Sequence, residues 1–298
     1  MVLPVFGPDT LPPASAAKRR YGVLGFPVSH SLSPPMQEAG FQALGIPAEY
    51  LRVEIPEGGL AAALPRLRAA GFEGWNCTLP HKETMFALCT ETDAAAREST
   101  TVNTVVVSGR GLQGHSTDAD GWEDDLRESW QLDLKAQRVL LLGCGGVGRT
   151  LAFRLAKRGC PQLTLSNRSP GKAIRLAEEL RAAARIPIRV VPWDSEPLAG
   201  AAHQADLLIH ATRLGLAGGD SLPLPETSLH AGLRVYDTVY RKDFTPLVRL
   251  ARARRLPTLD GLGMLLHQGA RSLSFWTGQP APIHAMRAAL EKAAGRPL

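Results

Sequence analysis

Four glycines near the middle of the chain are the first candidates for chemistry. They follow the apolar run 139–142, which is typical of a buried parallel strand, and stand at Gly143, Gly145, Gly146 and Gly148. A helix-like stretch comes next. Glycine lets a backbone turn tightly against a phosphate, and the free N–H groups of a helix start point at the anion. A strand, turn and helix in this order predict a cradle for the pyrophosphate of a dinucleotide.

The residues after the next predicted strand, 163–167, indicate which dinucleotide fits. A cofactor without a 2′-phosphate usually meets an Asp or Glu there, which accepts hydrogen bonds from the ribose. This chain instead has Asn167, Arg168, Ser169 and Lys172. Because cations without a carboxylate suit a phosphate, the sequence favours NADP over NAD. The alternative is a solvated basic loop beside a structural Rossmann unit.

Length and composition bound the class of protein. A chain of 298 residues exceeds the usual size of one domain, so we expect two domains. The net charge of +6 is scattered, and its densest cluster, 252–255, is a short helical face. This distribution argues against a nucleic-acid surface and favours a small-molecule partner.

The cysteines and the first residues indicate the compartment. The cysteines are Cys77, Cys89, Cys144 and Cys160. They form no C-x-x-C pair and have no metal-ligand spacing, so we expect reduced thiols in a cytoplasmic protein without a metal. Residues 1–20 are proline-rich and lack the apolar segment of a signal peptide, which predicts a flexible leader. No stretch of the sequence is long enough to cross a bilayer.

Alternating strand and helix patterns predict an α/β fold. Residues 21–80 indicate β-α-β-α-β, with Leu51, Val53 and Ile55 facing inward from one strand. Ser33 precedes a proline and predicts the N-cap of a helix. A hairpin is expected over 101–115, followed by a helix over 118–130.

A second α/β region follows. Its predicted strands are 138–142, 163–167, 187–191, 205–211 and 233–239. Two helical patterns, 261–276 and 282–294, close the chain. In parallel sheets, ligands bind beyond the carboxyl ends of the strands. We therefore expect the site in a cleft between two α/β domains, near the polar residues that follow predicted strands.

Seven short segments occur in one order along the chain. They are Gly25-Phe-Pro-Val-Ser-His-Ser-Leu-Ser-Pro34, Asn76-Cys-Thr-Leu-Pro-His-Lys82, Val102-Asn-Thr104, Ser116-Thr-Asp118, Gly143-Cys-Gly-Gly-Val147, Asn167-Arg-Ser169 and Asp260-Gly-Leu-Gly-Met264. Together they resemble the shikimate dehydrogenase family, including its quinate/shikimate relatives. The resemblance runs from about Tyr21 to the C-terminus.

The resemblance implies NADPH-dependent reduction of 3-dehydroshikimate to shikimate in aromatic amino-acid biosynthesis. Lys82 and Asp118 match the catalytic pair of the family. Hydride addition to a carbonyl creates an alkoxide, which needs a proton donor, and the reverse oxidation needs a base. Asp118 would raise the pKa of Lys82 and burial would lower it, so the protonation state of Lys82 stays open.

The resemblance also implies binding residues. The implied substrate contacts, besides the catalytic pair, are Ser31 and Ser33 for a carboxylate and Asn76, Thr78, Asn103, Tyr240 and Gln268. The implied cofactor contacts are Gly143, Cys144, Gly145, Gly146, Val147, Asn167, Arg168, Ser169, Lys172, Thr238 and Gly261. Structural alternatives remain at four positions: helix capping for Ser33, turn chemistry for Asn103, packing for Tyr240 and a surface amide for Gln268.

The implied organisation is a two-domain α/β protein. The leader is 1–20, the substrate-binding domain is 21–117 with the returning C-terminal helices 261–298, and the Rossmann-type NADP domain is 118–260. The implied enzyme is a cytoplasmic monomer or homodimer without nucleic-acid or membrane partners.

The chain departs from the family pattern at three positions, and two other functions stay open. Ser116 and His210 stand where Asn is usual, and Cys144 stands where Ala is usual. We expect these to alter affinity and Cys144 to confer sensitivity to thiol reagents. The alternatives are a quinate/shikimate dehydrogenase of broader cofactor use and a non-catalytic shikimate-binding regulator.

Overall fold

The computed structural model describes residues 4–216 and 224–298. In chain order the strands are β1 (Val5–Phe6), β2 (Arg19–Gly25), β3 (Ala48–Glu54), β4 (Phe72–Cys77), β5 (Glu91–Thr92), β6 (Thr104–Ser108), β7 (Gly111–His115), β8 (Arg138–Leu142), β9 (Gln162–Ser166), β10 (Ile188–Val190), β11 (Leu207–His210), β12 (Arg234–Asp237) and β13 (Thr258–Asp260). The α-helices are α1 (Ser33–Ala43), α2 (Leu60–Ala69), α3 (Lys82–Leu88), α4 (Ala94–Ser99), α5 (Asp118–Trp130), α6 (Gly146–Arg158), α7 (Pro170–Ala183), α8 (Ser195–His203), α9 (Pro246–Ala253), α10 (Gly261–Thr277) and α11 (Ile283–Ala294). Short 3₁₀ helices occur at Leu134–Ala136 and Glu226–Ser228.

The chain divides into two compact units. Unit 1 comprises Met1–Trp122 and Leu265–Leu298, and unit 2 comprises Glu123–Met264. The divisions fall inside α5 and α10, close to the domain limits expected from the sequence. In unit 1, α11 packs on α1, and Trp276 of α10 contacts the Tyr21 ring with 4.9 Å between centroids. Most of α10 and all of α11 therefore belong to the first unit.

A mixed sheet forms the centre of unit 1. Among the described residues its strand order is β1-β3-β2-β4-β6-β7-β5. The strands from β1 to β4 are parallel to one another, with Val23 of β2 opposite Arg52 on one side and Asn76 on the other. β6 is antiparallel to β4 and to β7. The predicted hairpin is thereby confirmed.

Strand β3 is buried on both faces. Val53 and Ile55 belong to an apolar cluster with residues of α2, and the partly buried Leu51 packs against it. Successive side chains of a strand point to opposite faces, and the alternate residues Tyr50 and Arg52 are only 2% and 6% exposed. The predicted inward face is confirmed, but the second face is polar and buried rather than solvated.

The first twenty residues are partly ordered, apart from 1–3, which lie outside the described residues. β1 pairs with β3 at the edge of the sheet. Arg20 is 2% exposed, and its guanidinium donates to the carbonyls of Pro12, Pro13 and Ala70 at 2.9–3.0 Å. The prediction of a flexible leader is corrected here, because proline-rich chain offers carbonyl acceptors that a buried arginine can bind.

Replacing Arg20 tests this anchoring. Arg20→Met removes the donors for three carbonyls and for the Glu49 carboxylate, whose Oε1 lies 2.6 Å from Nε. We expect a loss of about 2 kcal/mol in the free energy of unfolding, measured by urea denaturation. The control is Arg66→Met, because Arg66 pairs with Asp9 at a solvated site where the side chains are 54% and 70% exposed. Its loss should stay below about 0.5 kcal/mol. Equal losses in the two variants would contradict the anchoring role.

Unit 2 is built on a parallel sheet. In the part of the unit that the structure describes, the strand order is β10-β9-β8-β11-β12-β13. This is the doubly wound order of a Rossmann fold, in which ligands bind beyond the carboxyl ends of the strands where the order reverses. Here that point lies between β8 and β11, where Leu142 is opposite His210. The predicted α/β class is confirmed.

Within residues 4–216 and 224–298, no helix has the length and apolarity that a membrane crossing needs.

Candidate active site

A lysine and an aspartate form a buried ion pair in unit 1. Lys82 is the first residue of α3 and Asp118 is the first residue of α5. Lys82 Nζ lies 2.6 Å from Asp118 Oδ2, and the two side chains are 10% and 5% exposed. Burial of two charges is costly, so such a pair needs close geometry and further hydrogen bonds. An ammonium group has three N–H donors, and one of them points at the Asp118 carboxylate here.

An amide binds the other oxygen of that aspartate. Asn103 Nδ2 lies 3.0 Å from Asp118 Oδ1, 2.9 Å from Thr117 Oγ1 and 3.2 Å from Gln268 Oε1. Asn103 Oδ1 accepts the Thr117 N–H at 2.8 Å. The structure thus brings four of the predicted residues, Lys82, Asn103, Asp118 and Gln268, into one buried cluster.

Asn76 supports this cluster from behind. Its Oδ1 accepts a hydrogen bond from the Tyr50 hydroxyl at 2.7 Å. Its Nδ2 lies 3.0 Å from the Asn103 carbonyl oxygen, 3.1 Å from Thr104 Oγ1 and 2.9 Å from Ser272 Oγ. Protein acceptors therefore engage both N–H groups of this amide, so that Asn76 holds the Asn103 backbone while it stays a predicted substrate contact.

Two buried serines lie at the start of α1. Ser31 and Ser33 are 7% and 5% exposed. The N-cap of α1 is Leu32 and no side chain caps the helix, so the prediction of Ser33 as N-cap is wrong. The Ser31 hydroxyl instead accepts the Ser33 N–H at 3.3 Å. A hydroxyl that accepts through a lone pair still has its own O–H to donate, as binding of an anion at a helix start requires.

Thr78 lies against the loop that carries these serines. It follows β4, where its N–H donates to the Leu24 carbonyl at 2.8 Å. A Cβ added at Gly25 would lie 2.3 Å from the Thr78 methyl group. Only glycine lets the two segments approach this closely. Thr78 is half-buried.

The glycine turn lies between β8 and α6. Gly143 has a φ of 106°, a conformation that favours glycine. A Cβ at Gly148 would lie 1.9 Å from the Gly143 carbonyl oxygen. Gly145 is the N-cap of α6 and offers no side-chain cap to the first turn, which begins with Gly146 and Val147. The N–H groups of that turn suit a bound phosphate.

Asn167 ties the basic loop after β9 to this turn. Its Oδ1 accepts the Cys144 N–H at 3.0 Å, and its Nδ2 donates to the Ser169 carbonyl at 2.9 Å. Arg168, Ser169 and Lys172 are exposed, and the Lys172 N–H donates to the Ser169 carbonyl at 3.1 Å. Two exposed cations, Arg168 on this loop and Lys172 in the first turn of α7, therefore follow the residue that binds the glycine turn, which fits a cofactor with an additional phosphate.

Three further predicted residues meet in unit 2. The Thr238 N–H donates to the His210 carbonyl at 2.8 Å. A Cβ at Gly261 would lie 2.2 Å from the Thr238 carbonyl oxygen and 3.4 Å from Tyr240 Cδ1. Tyr240 thus lies beside the two residues predicted near the nicotinamide, and the other predicted substrate contacts lie in unit 1.

His210 is the centre of a buried hydrogen-bond network that sequence analysis missed. His210 Nδ1 lies 2.9 Å from Asp237 Oδ1, and Nε2 lies 2.5 Å from Thr212 Oγ1. The Thr245 hydroxyl donates to Asp237 Oδ2 at 2.6 Å. An imidazole protonated on Nδ1 satisfies both of its contacts. The Thr212 methyl group lies 2.9 Å from the place of a Cβ on Gly143, so this network orients a residue that touches the glycine turn.

Cys144 is a poor target for thiol reagents. It is 7% exposed, and burial raises the pKa of its thiol to about 12, against a smaller opposing effect of Lys172. The thiolate is the reactive form, so little of it exists near neutral pH. The expected reagent sensitivity is therefore corrected. The third departure, Ser116, is buried with its Oγ 3.5 Å from Thr101 Oγ1.

Substitution of His210 tests the network. His210→Leu leaves the Asp237 carboxylate, which is 0% exposed, without one of its donors. We expect a loss of about 3 kcal/mol in the free energy of unfolding. His210→Asn keeps one donor and one acceptor and should lose about 1 kcal/mol. Urea denaturation of both variants measures the difference, and equal losses would show that the imidazole hydrogen bonds are unimportant.

The two units together define a class of protein. A Rossmann unit with a glycine turn, in one chain with an α/β unit that holds a buried lysine–aspartate pair, is the arrangement of a two-domain nicotinamide-dependent oxidoreductase. Within residues 4–216 and 224–298, no group of three or more His, Cys, Asp or Glu side chains could hold a metal ion.

Family models identify the family within this class. Residues 23–105 match the shikimate dehydrogenase substrate binding domain, residues 125–215 match shikimate/quinate 5-dehydrogenase, and residues 261–291 match the shikimate 5′-dehydrogenase C-terminal domain. The chain belongs to the shikimate dehydrogenase family.

Individual relatives agree with this assignment. The shikimate dehydrogenase (NADP(+)) of Rubrobacter xylanophilus is 43% identical over 271 residues, which cover 90% of this chain and 94% of the relative. The crystal structure of shikimate 5-dehydrogenase from Thermus thermophilus in complex with NADP(H) and shikimate is 36% identical, with a TM-score of 0.81 over 92% of this chain and 99% of that one. Quinate dehydrogenase from Corynebacterium glutamicum in complex with NAD is 28% identical, with a TM-score of 0.81 over 92% and 99% of the two chains.

Proposed function

We propose that this chain catalyses the reversible NADPH-dependent reduction of 3-dehydroshikimate to shikimate in aromatic amino-acid biosynthesis. The observation that carries the proposal is the buried pair of Lys82 and Asp118, 2.6 Å apart. A non-catalytic binding protein has no need of a buried ammonium group held by a carboxylate. The relative from Rubrobacter xylanophilus, 43% identical to this chain, supports the same activity.

Unit 1 is the substrate-binding domain in this proposal. The hydroxyls of Ser31 and Ser33 bind the substrate carboxylate at the start of α1. Thr78, Asn103, Asp118, Lys82 and Gln268 bind the ring hydroxyls, and Tyr240 stays a predicted substrate contact. A ring with several hydroxyls requires fixed donors and acceptors, because a buried polar group left unpaired by a wrong ligand costs affinity. Asn76 holds Asn103 in place.

Unit 2 binds NADP(H) in this proposal. The cofactor residues are those of the glycine turn, those from Asn167 to Lys172 after β9, Thr238 and Gly261. The positive φ of Gly143 and the close approach at Gly148 supply the room that a pyrophosphate needs. Arg168 and Lys172 bind the 2′-phosphate, since no carboxylate follows β9 within 167–172 to receive free ribose hydroxyls.

Lys82 transfers the proton. When bound, NADPH supplies the hydride that turns the C3 carbonyl into an alkoxide. The Lys82 ammonium group stabilises the negative oxygen and gives it one proton, and the resulting amine stays hydrogen-bonded to Asp118. In the reverse direction, the amine takes the proton of the C3 hydroxyl. Asp118 orients Nζ of Lys82, and Asn103 Nδ2 holds the carboxylate in place by donating to Asp118 Oδ1.

The thiols of the chain bear on its compartment. All four cysteines are free, which fits a cytoplasmic enzyme in a reducing compartment. We expect it to act as a monomer or homodimer on a small molecule, without nucleic-acid or membrane partners. The similarity to an NAD-bound quinate dehydrogenase makes broader specificity the second candidate. Steady-state kinetics with shikimate or quinate and NADP⁺ or NAD⁺ separates the two.

Replacing Lys82 tests the proton transfer. Lys82→Ala removes the donor, so kcat for shikimate oxidation should fall by about 10²–10⁴-fold. The dissociation constant for NADPH, measured by fluorescence, should stay within about twofold, because the lysine belongs to unit 1. Lys135→Ala, at an exposed lysine of unit 2, is the matched control and should change neither quantity. A parallel loss of NADPH binding in Lys82→Ala would argue against this role.

Replacing Arg168 tests cofactor selection. Arg168→Ala should raise the KM for NADP⁺ about tenfold, because one of two cations near the 2′-phosphate is lost, and should leave the KM for NAD⁺ within about twofold. Arg185→Ala, at an exposed arginine just past α7, serves as control. If both cofactors lose affinity equally, Arg168 supports the loop and does not read the phosphate.

A further inference from the structure

The polar face of β3 supports the substrate-binding side of unit 1 at successive positions. Tyr50, Arg52 and Glu54 are two residues apart and so point to the same face of the sheet. Tyr50 donates to Asn76, as described above. Arg52 and Glu54 both bind the loop between β2 and α1, which carries Ser31.

Arg52 binds the backbone of Ser31 directly. Its Nε donates to the Ser31 carbonyl oxygen at 3.1 Å, and its Nη2 donates to the same oxygen. Arg52 is 6% exposed, so its charge is poorly screened by solvent. A guanidinium group cannot be deprotonated in a protein, so this charge is permanent. The guanidinium group therefore binds the backbone of the same residue that carries the Ser31 hydroxyl.

Glu54 binds the same loop with the opposite polarity. Its Oε1 accepts the Val28 N–H at 3.0 Å. The Ser31 N–H in turn donates to the Val28 carbonyl at 3.0 Å, which closes a turn over 28–31. β3 thus holds one end of the turn through a carboxylate and the other end, at Ser31, through a cation. The cation is the charge that binds Ser31 itself.

We infer that Arg52 is a positioning and charge-selecting residue for the carboxylate of the substrate. It fixes the Ser31 backbone, so that the Ser31 hydroxyl is aimed before the ligand arrives. It also places a permanent positive charge behind the two serines, which favours an anionic ligand over a neutral one of the same shape. This inference rests on the proposed function, because it takes Ser31 and Ser33 as the carboxylate site.

The test compares shikimate with its methyl ester, which keeps the ring and its hydroxyls but is neutral. In Arg52→Met, the KM for shikimate should rise about tenfold, with the KM for the ester changed less than about threefold. In Arg52→Lys, which keeps the charge, the KM for shikimate should rise by only about threefold. The KM for NADP⁺ reports on unit 2 and should stay constant in all variants. Arg66→Met is the surface control.

Glu54→Gln separates charge from position. Glutamine keeps an oxygen that accepts the Val28 N–H but lacks the negative charge, so the KM for shikimate should fall or stay equal. A role of β3 in loop position alone predicts instead that Arg52→Met weakens the acid and the ester equally, and that result would overturn the inference. So would an unchanged KM for shikimate in Arg52→Met. If the wild-type chain oxidises no shikimate, the proposed function itself fails, which is a different outcome.

Discussion

A charge pair with almost no solvent contact sets the conditions that unit 1 must meet. Water no longer screens Lys82 and Asp118, so each must be held by protein groups or the pair destabilises the fold. Asn103 binds the second carboxylate oxygen, Asn76 binds the Asn103 carbonyl, and Tyr50 binds Asn76. Each layer restricts the next. The arrangement that makes the pair tolerable is therefore the same one that aims its donor, and stability and chemistry depend on one set of hydrogen bonds.

Unit 2 meets a comparable constraint with different means. A dinucleotide site needs backbone close to phosphate, which favours glycine at several positions of the turn and leaves few side chains there to pack. The neighbouring elements supply additional support. The Gly143 N–H donates to the Ser166 carbonyl, and Asn167 holds the Cys144 N–H. The His210 network orients Thr212, which follows β11 and lies against Gly143.

Sequence reasoning located the elements whose patterns are local. The apolar run of β8 and the helix α5 have the predicted bounds, because local sequence patterns indicate both. β5, with two residues, is too short to carry a pattern. Ser33 looked like a cap, but the acceptor for its N–H is the hydroxyl two residues earlier. Burial of Arg52 and His210 depends on partners from distant segments, which no local pattern encodes.

The same distinction applies to the site. The resemblance to the family implied the catalytic pair and the two serines, whereas the spacing of the glycines after an apolar strand was enough to predict the glycine turn. Neither identified Tyr50, Arg52 or Glu54, which act only through other residues. A strand that alternates apolar and polar residues is ordinarily expected to have one solvated face. Here helix α1 covers that face, and only the folded chain shows it.

The two unlike faces of β3 constrain how the chain can change in length. A single inserted or deleted residue would exchange the faces, placing Arg52 among the aliphatic residues packed on α2 and Leu51 or Val53 against the serine loop. Such a shift would separate the buried Arg52 charge from the Ser31 carbonyl that it binds. The exposed tip between β6 and β7 carries no such penalty. Divergent copies of this gene can therefore vary in length at the hairpin tip, whereas β3 must keep its residue count even when its individual side chains are replaced.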